Sequence, residues 1–272
     1  MSAAPLTFAA LDGIAFAARR GRLNQLAANG GYSAATLGPF MEWRQLSGFG
    51  LLPQMEKTKW LQLGPFAALQ AALGDGKQQW IGGGGQAAGF FRTGTDFAED
   101  ETAFVGFGIA VQKAAAALGF HRIFAAQFAA ALEEMVGNVY EHSGRPASGI
   151  AAFRVGDGEF EFVVADEGIG VLESLRSGPD YKSLNDHGEA LRLALTDGVS
   201  RFGKGRGNGF RPIFVGLANL SGALRFRSGD HALVIDGQQI DMMSAKTAQK
   251  TSVNGFFVSV TCRLHPASNT ES

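Results

Sequence analysis

One cysteine, Cys262, stands in 272 residues, which excludes an intrachain disulfide framework and a Cys-rich zinc or iron-sulfur site and fits a reducing compartment. Charge is scarce too: charged residues make up 18% of the chain, below the usual ~25%. The 24 Lys and Arg against 25 Asp and Glu leave a net charge of -1, so the large basic field behind general nucleic-acid binding is missing. No uncharged apolar run reaches the ~18 residues of a membrane helix. The Ala- and Phe-rich stretch from Leu6 to Ala18 contains Asp12 and has Arg19, Arg20 and Arg22 after it rather than before it, the reverse of a signal peptide. A cytoplasmic protein with neither a membrane nor a nucleic-acid partner is expected.

What is present is apolar and rich in glycine: 46% hydrophobic residues and 38 glycines. The run Gly82-Gly83-Gly84-Gly85 suits neither a helix nor a regular strand, and it sets a boundary near residues 82–98. We expect a smaller N-terminal domain of uncertain fold over 1–95, a second domain over 96–266 and a disordered tail over 267–272. The N-terminal part carries Trp43, Trp60 and Trp80, read as core, and two Leu-Gly-Pro-Phe stretches, Leu37 to Phe40 and Leu63 to Phe66, that hint at a repeat. Its low charge suits partner recognition or dimerisation, which leaves a homodimer open.

The second part is clearer. Thr95 or Asp96 can cap a helix that ends at Gly119, and another follows from about His121 to His142, with Phe124, Phe128, Leu132, Met135 and Val139 as its buried stripe. Gly149 to Val155, the turn Gly156-Asp157-Gly158 and Glu159 to Ala165 read as a β-hairpin. A helix over Gly188 to Leu195 is expected, another from near Asn208 to Gly222, then strands Ala223 to Arg227, Ala232 to Ile235 and Gly255 to Arg263. The class is α+β.

Three clusters can carry chemistry. Glu134 and Asn138 are four apart on one helix face, with His142 a turn further. They are either a solvated face or an amide oxygen for Mg²⁺, a hard ion, beside a carboxylate that activates a nucleophile. Asp166-Glu167-Gly168-Ile169-Gly170 ends an apolar strand. It is either an ordinary strand-to-loop turn or a buried carboxylate awaiting a donor such as an exocyclic amine. Gly203-Lys204-Gly205-Arg206-Gly207-Asn208-Gly209 precedes a helix and is either a flexible loop or an anion site made of backbone N–H groups. It is not a Walker A loop, because Gly-Lys is not followed by Ser or Thr.

Taken in order, the clusters resemble the ATP-binding domain shared by histidine kinases, Hsp90, type II topoisomerases, MutL and anti-sigma serine kinases, the GHKL or Bergerat fold. Leu132 to Ser143 is similar to its N box, Asp166 to Gly170 to its G1 box and Gly205 to Gly209 to its G2 box. The resemblance covers about residues 100–265. It implies a Bergerat-type α/β sandwich, a mixed, mostly antiparallel sheet with helices on one face. It further implies that Glu134 is the general base, that Asn138 holds Mg²⁺, and that Asp166 binds the adenine amine. Gly168 and Gly170 would shape the base pocket, and Gly205, Arg206, Gly207 and Gly209 would wrap the phosphates of ATP. Lys204 and Arg206 would contact phosphate, with 171–204 as the lid. Phe210 replaces the family's usual Leu and Val139 its usual Ala, both keeping apolar character. No His-Glu-x-x-Pro phosphoacceptor stretch occurs, so the stand-alone class of anti-sigma-type kinases is the nearest in character. The resemblance implies an ATP-dependent regulator that phosphorylates a protein partner on Ser or Thr or switches partner binding. The alternatives are a non-catalytic nucleotide-dependent interaction module and a simple ATPase.

Overall fold

The computed structural model describes residues 3–27, 31–83, 87–195, 222–236 and 246–264. Short strand-helix steps open the chain. β1 (Ala4–Pro5) leads into α1 (Phe8–Arg19), whose first turn is capped by the Thr7 hydroxyl, and α2 (Leu23–Ala27) follows. β2 (Tyr32–Ser33) leads into α3 (Leu37–Gly48), and β3 (Leu61–Gln62) into a 3₁₀ turn, Gly64–Phe66, and α4 (Ala67–Gly74). The three strands pair in parallel in the order β1-β2-β3. Both Leu-Gly-Pro-Phe stretches thus follow a strand and open a helical segment, and their phenylalanines, Phe40 and Phe66, stack at 4.7 Å.

β4 (Gln79–Gly82) and β5 (Ala88–Arg92) come next, then α5 (Phe97–Leu118) and α6 (Arg122–His142). Asp96 caps α5 by accepting from the Ala98 N–H, and Gly119, at φ 115°, ends it. β6 (Ile150–Gly156) and β7 (Glu159–Ala165) form the hairpin that the Asp-Gly pair encodes, with Asp157 and Gly158 both at positive φ. α7 (Gly170–Arg176) and α8 (His187–Ala194) follow, then β8 (Ala223–Asp236) and β9 (Lys246–Arg263). The separate strands expected at 223–227 and 232–235 are one long strand, β8, whose register against β9 shifts around Ser228 and Gly229.

The main sheet of the described residues runs β4-β5-β6-β7-β9-β8, and each of its pairings is antiparallel. The fold is α+β. It differs in one particular from the mixed sheet expected with helices on one face: no parallel pair occurs among these six described strands. Helices α5, α6 and α8 pack on one face, and the other is covered by α1, α3 and α4 from residues 1–95. Phe153, Phe160, Phe162 and Val164 face α5 and α6, with Phe128 stacked on Phe160 at 4.3 Å. Ala152, Val163, Ala165 and Phe257 face the other way, into a core shared with α1, α3 and α4. β4 and β5, from within residues 1–95, extend the sheet that the later strands continue. Trp43 is fully buried in the N-terminal core and its Nε1 donates to the Pro53 carbonyl at 3.0 Å; Cys262 is buried in β9.

Charged groups bridge the N-terminal helices and the sheet. Glu161 of β7 accepts from the Leu37 N–H at the start of α3 (2.7 Å) and pairs with Arg154 of β6 (2.8 Å). Glu42 of α3 pairs with Arg225 (2.7 Å) and Arg227 of β8, and Asp12 of α1 pairs with Arg225 (2.6 Å) and Lys250 (2.7 Å). No described helix is long and apolar enough to cross a membrane.

Candidate functional site

β7 is buried along nearly its whole length and delivers Asp166 just past its last paired residue, Ala165. Asp166 is 2% exposed. Burial pushes its carboxyl up to about 6; the Gly168 and Phe256 amides work against that rise, and the neighbouring Glu167 charge adds to it. The Gly168 N–H donates to Asp166 Oδ1 at 2.7 Å, and among the described residues no cation pairs with Asp166. This is a buried acceptor without a counter-charge, an arrangement that costs stability unless a donor arrives.

The Asp166–Gly170 loop is seated on the C-terminal end of α6. The Ile169 N–H donates to the Ser143 carbonyl at 2.8 Å, and a Cβ on Gly168 would overlap that same carbonyl, so only glycine permits this approach. Two further bonds join the two loops, Arg145 Nη1 to the Glu167 carbonyl (3.2 Å) and Glu167 N–H to Ser148 Oγ (3.0 Å), and Arg145 N–H to Ser143 Oγ (3.0 Å) fixes the turn after α6. Gly170 opens α7, where the Val171 N–H donates to Ser228 Oγ (3.0 Å).

α6 turns Phe128, Leu132, Met135 and Val139 into the core, which leaves Glu134 exposed and Asn138 half-buried. At 1.5 Å of rise per residue, Asn138 lies about 7.5 Å and Glu134 about 13 Å of helix axis before Ser143. Partial burial, together with the charges of Glu141 and Glu133, raises the Glu134 carboxyl above its ordinary range. His142 Nε2 lies 3.8 Å from Glu141 at the end of the helix. The helix thus runs from a basic carboxylate through an amide oxygen to the loop that holds Asp166. Mg²⁺ takes oxygen ligands and usually keeps several waters and phosphate oxygens; a single amide beside a carboxylate suits it. No group of three or more His, Cys, Asp or Glu poised for a metal occurs among the described residues.

The segment expected to be a lid is in part well packed. α7 and α8 meet over Leu172, Leu175, Leu184 and Ala190, and Leu191, Ala194 and Leu195 join the main core. Lys204, Gly205, Arg206, Gly207 and Gly209 lie outside the described residues, as does the helix expected from near Asn208.

Sequence reasoning missed three supports of the site. Gly255, at φ 72°, passes so close to Asp166 that a Cβ there would overlap its carbonyl and carboxylate; a glycine inside a β-rich run was the available signal. Ser228 Oγ donates to the Gly255 carbonyl at 2.7 Å. Gln45 of α3 reaches through from the N-terminal layer, its Nε2 donating to the carbonyls of Asp166 (3.0 Å) and Phe256 (3.2 Å). Beside Gln45 opens a cavity of about 460 Å³ between α3 and the sheet, walled in part by Asp166 and Glu167. No family model matches this sequence, and no curated protein matches it.

Proposed function

We propose that the chain binds Mg·ATP against the Glu134–Asn138 face of α6 and the Asp166–Gly170 loop, and that it phosphorylates a protein partner on Ser or Thr. One observation carries the reading: Asp166, a buried carboxyl raised to about 6 with no cationic partner among the described residues, at the foot of a helix bearing Asn138 and Glu134. A ligand that brings an amine to Asp166 satisfies that acceptor, as the resemblance to the GHKL domain implies for adenine. The helix offset between Asp166's loop and Glu134 then gives an order: base at the loop, Mg²⁺ at Asn138, acceptor group at Glu134.

Bound Mg²⁺ supplies charge neutralisation of the phosphates. Asn138 offers it an oxygen, and Glu134 accepts the proton of the attacking hydroxyl, a task that its raised affinity for protons favours. Positioning and charge account for most of phosphoryl transfer, so a single carboxylate suffices as base. Cytoplasmic residence goes with the same reading, since ATP is available there and a chain with a single cysteine fits a reducing compartment.

Glu134→Gln tests the assignment. The expected result is Mg·ATP affinity within about twofold of wild type by calorimetry, with transfer of ³²P from γ-labelled ATP to proteins of a cell extract reduced ~100-fold or more, the usual contribution of a general base. Equal transfer by both forms removes Glu134 from the chemistry. Binding without transfer by either form favours the non-catalytic, nucleotide-dependent switch.

A further inference from the structure

The cavity between α3 and the sheet contains a second concentration of charge, remote in chemistry from the Glu134–Asn138 face. Arg44 of α3 and Arg92 of β5 both line it. Their guanidinium groups converge on one atom, the Leu73 carbonyl in the last turn of α4, from Arg92 Nη2 at 2.9 Å and Arg44 Nη2 at 3.4 Å. A helix C-terminus attracts a cation, but one guanidinium meets that need, and the second adds like-charge repulsion. Among the described residues neither arginine has a carboxylate within 4.0 Å. Glu56 shares the cavity wall and attracts Arg44 from beyond that distance, while Arg44 Nη1 donates to Gln70 Oε1 (3.4 Å) and Arg92 Nε to the Lys77 carbonyl (3.2 Å), both neutral acceptors. Burial and, for Arg44, the nearby Arg92 lower the proton affinity of both groups.

Two partly buried guanidiniums that hydrogen-bond to neutral acceptors, with no carboxylate within 4.0 Å among the described residues, keep their charge available to an anion. A monocarboxylate would neutralise one of them. A phosphate monoester, which carries ≈ -1.5 to -2 charge at neutral pH, matches both, and the planar fork of each arginine suits two phosphate oxygens. The rest of the cavity sets the body of the ligand. Met41, Met55 and Ile150 give it apolar surface, while Glu167 at the sheet end offers a carboxylate to hydroxyl or amine groups. Its volume, about 460 Å³, lies in the range of small-molecule sites.

We infer that Arg44 and Arg92 form the anion-binding end of a second ligand site, one that takes a small phosphate monoester bearing hydroxyl or amine groups. The site lies between the N-terminal helices and the sheet, and Gln45 connects it to the Asp166 backbone. A ligand there bridges α3, α4 and β5 and stabilises their union.

The test uses the full chain and inorganic phosphate as probe, read by melting temperature at constant ionic strength with chloride as the balancing anion. Wild type is expected to melt at a saturably higher temperature as phosphate is added, with the midpoint at least tenfold weaker in Arg44→Gln and in Arg92→Gln. Asn138→Ala is expected to keep the response, which separates this site from the proposed nucleotide site. A response unchanged in both arginine variants overturns the proposal. So does a response lost in Asn138→Ala but kept in the arginine variants, which would assign the phosphate to the nucleotide site. The absence of any wild-type response overturns it as well. Should an arginine variant fail to fold, Arg44→Lys and Arg92→Lys retain charge without the fork and are expected to weaken the midpoint in the same direction.

Discussion

Asp166→Asn is expected to remove Mg·ATP binding while making the unliganded protein more stable at neutral pH. Asparagine keeps the size of the side chain and an oxygen for the Gly168 N–H now bonded at 2.7 Å, but it carries no charge into a site that is 2% exposed. Burial raises the carboxyl from 3.8 to about 6, and at 1.36 kcal/mol per pKa unit this corresponds to about 3 kcal/mol of strain in the ionised folded state. A folded-state pKa raised above the unfolded value makes the contribution to stability largest below 3.8 and erodes it as pH rises through about 6. Wild type should therefore gain on the variant as pH falls from 6 toward 4, and lose to it above. Affinity moves in the opposite sense: the ionised carboxylate accepts the ligand's amine, so binding weakens as pH drops below about 6. In the variant the asparagine N–H₂ can face the ligand's N–H₂, and a lost hydrogen bond to a charged group, ~1.5–3 kcal/mol, makes the loss at least tenfold, or larger when the two donors oppose. Calorimetry and thermal melts between pH 4.5 and 7.5 check both halves. A variant that binds like wild type removes Asp166 from the base site; one that is less stable at pH 7 means the carboxylate is already compensated.

The hairpin and the two long helices were legible because their signals are local. Asp157-Gly158 can take positive φ in succession, Asp96 caps α5 and Gly119 ends it. Asp166, Gly168 and Gly170 were legible for a similar reason, since the end of an apolar strand followed by alternate glycines is a pattern within five residues. The N-terminal layer was not. β1, β2 and β3 are two residues each, too short for any periodicity to register. Their pairing is parallel, between segments roughly thirty residues apart in sequence. Gln45 gives no local sign of its bonds to Asp166 and Phe256, which lie 121 and 211 residues away. Arg225 and Arg227 alternate with Leu224 and Phe226, a pattern that reads as one solvent-facing side of a strand, yet both arginines are 1% exposed. Their partners come from α1 and α3 at the far end of the sequence, and nothing near β8 announces them.

That ionic junction leads to the other large effect: Glu42→Ala is expected to cost about 3–5 kcal/mol, the usual consequence of stripping one partner from a buried ion pair. Glu42 is fully buried and is the acid that Arg225 and Arg227 share. Arg225 retains Asp12 at 2.6 Å when Glu42 is gone, whereas among the described residues Arg227 is left with the Thr251 carbonyl. Burial acts to lower the affinity of Arg225 for its proton, but the charges and hydrogen bonds of Glu42 and Asp12 outweigh it. The damage should therefore concentrate on Arg227, and Arg227→Met in the Glu42→Met background should recover much of the loss, because a buried pair replaced whole by apolar groups of similar volume is often neutral. Urea denaturation of wild type, Glu42→Ala, Glu42→Met and the Glu42→Met/Arg227→Met pair measures this, with a loss below about 1 kcal/mol for Glu42→Ala ruling out the buried junction. The effect has a route to the proposed site: Arg227 precedes Ser228, whose hydroxyl links the Gly255 carbonyl to the Val171 N–H beside Asp166. Loosening Glu42 should consequently weaken Mg·ATP binding in the molecules that remain folded, and the Met pair should restore it. The N-terminal helices then serve as the other wall of the proposed site's support, joined to it by Glu42 through β8 and by Gln45 directly.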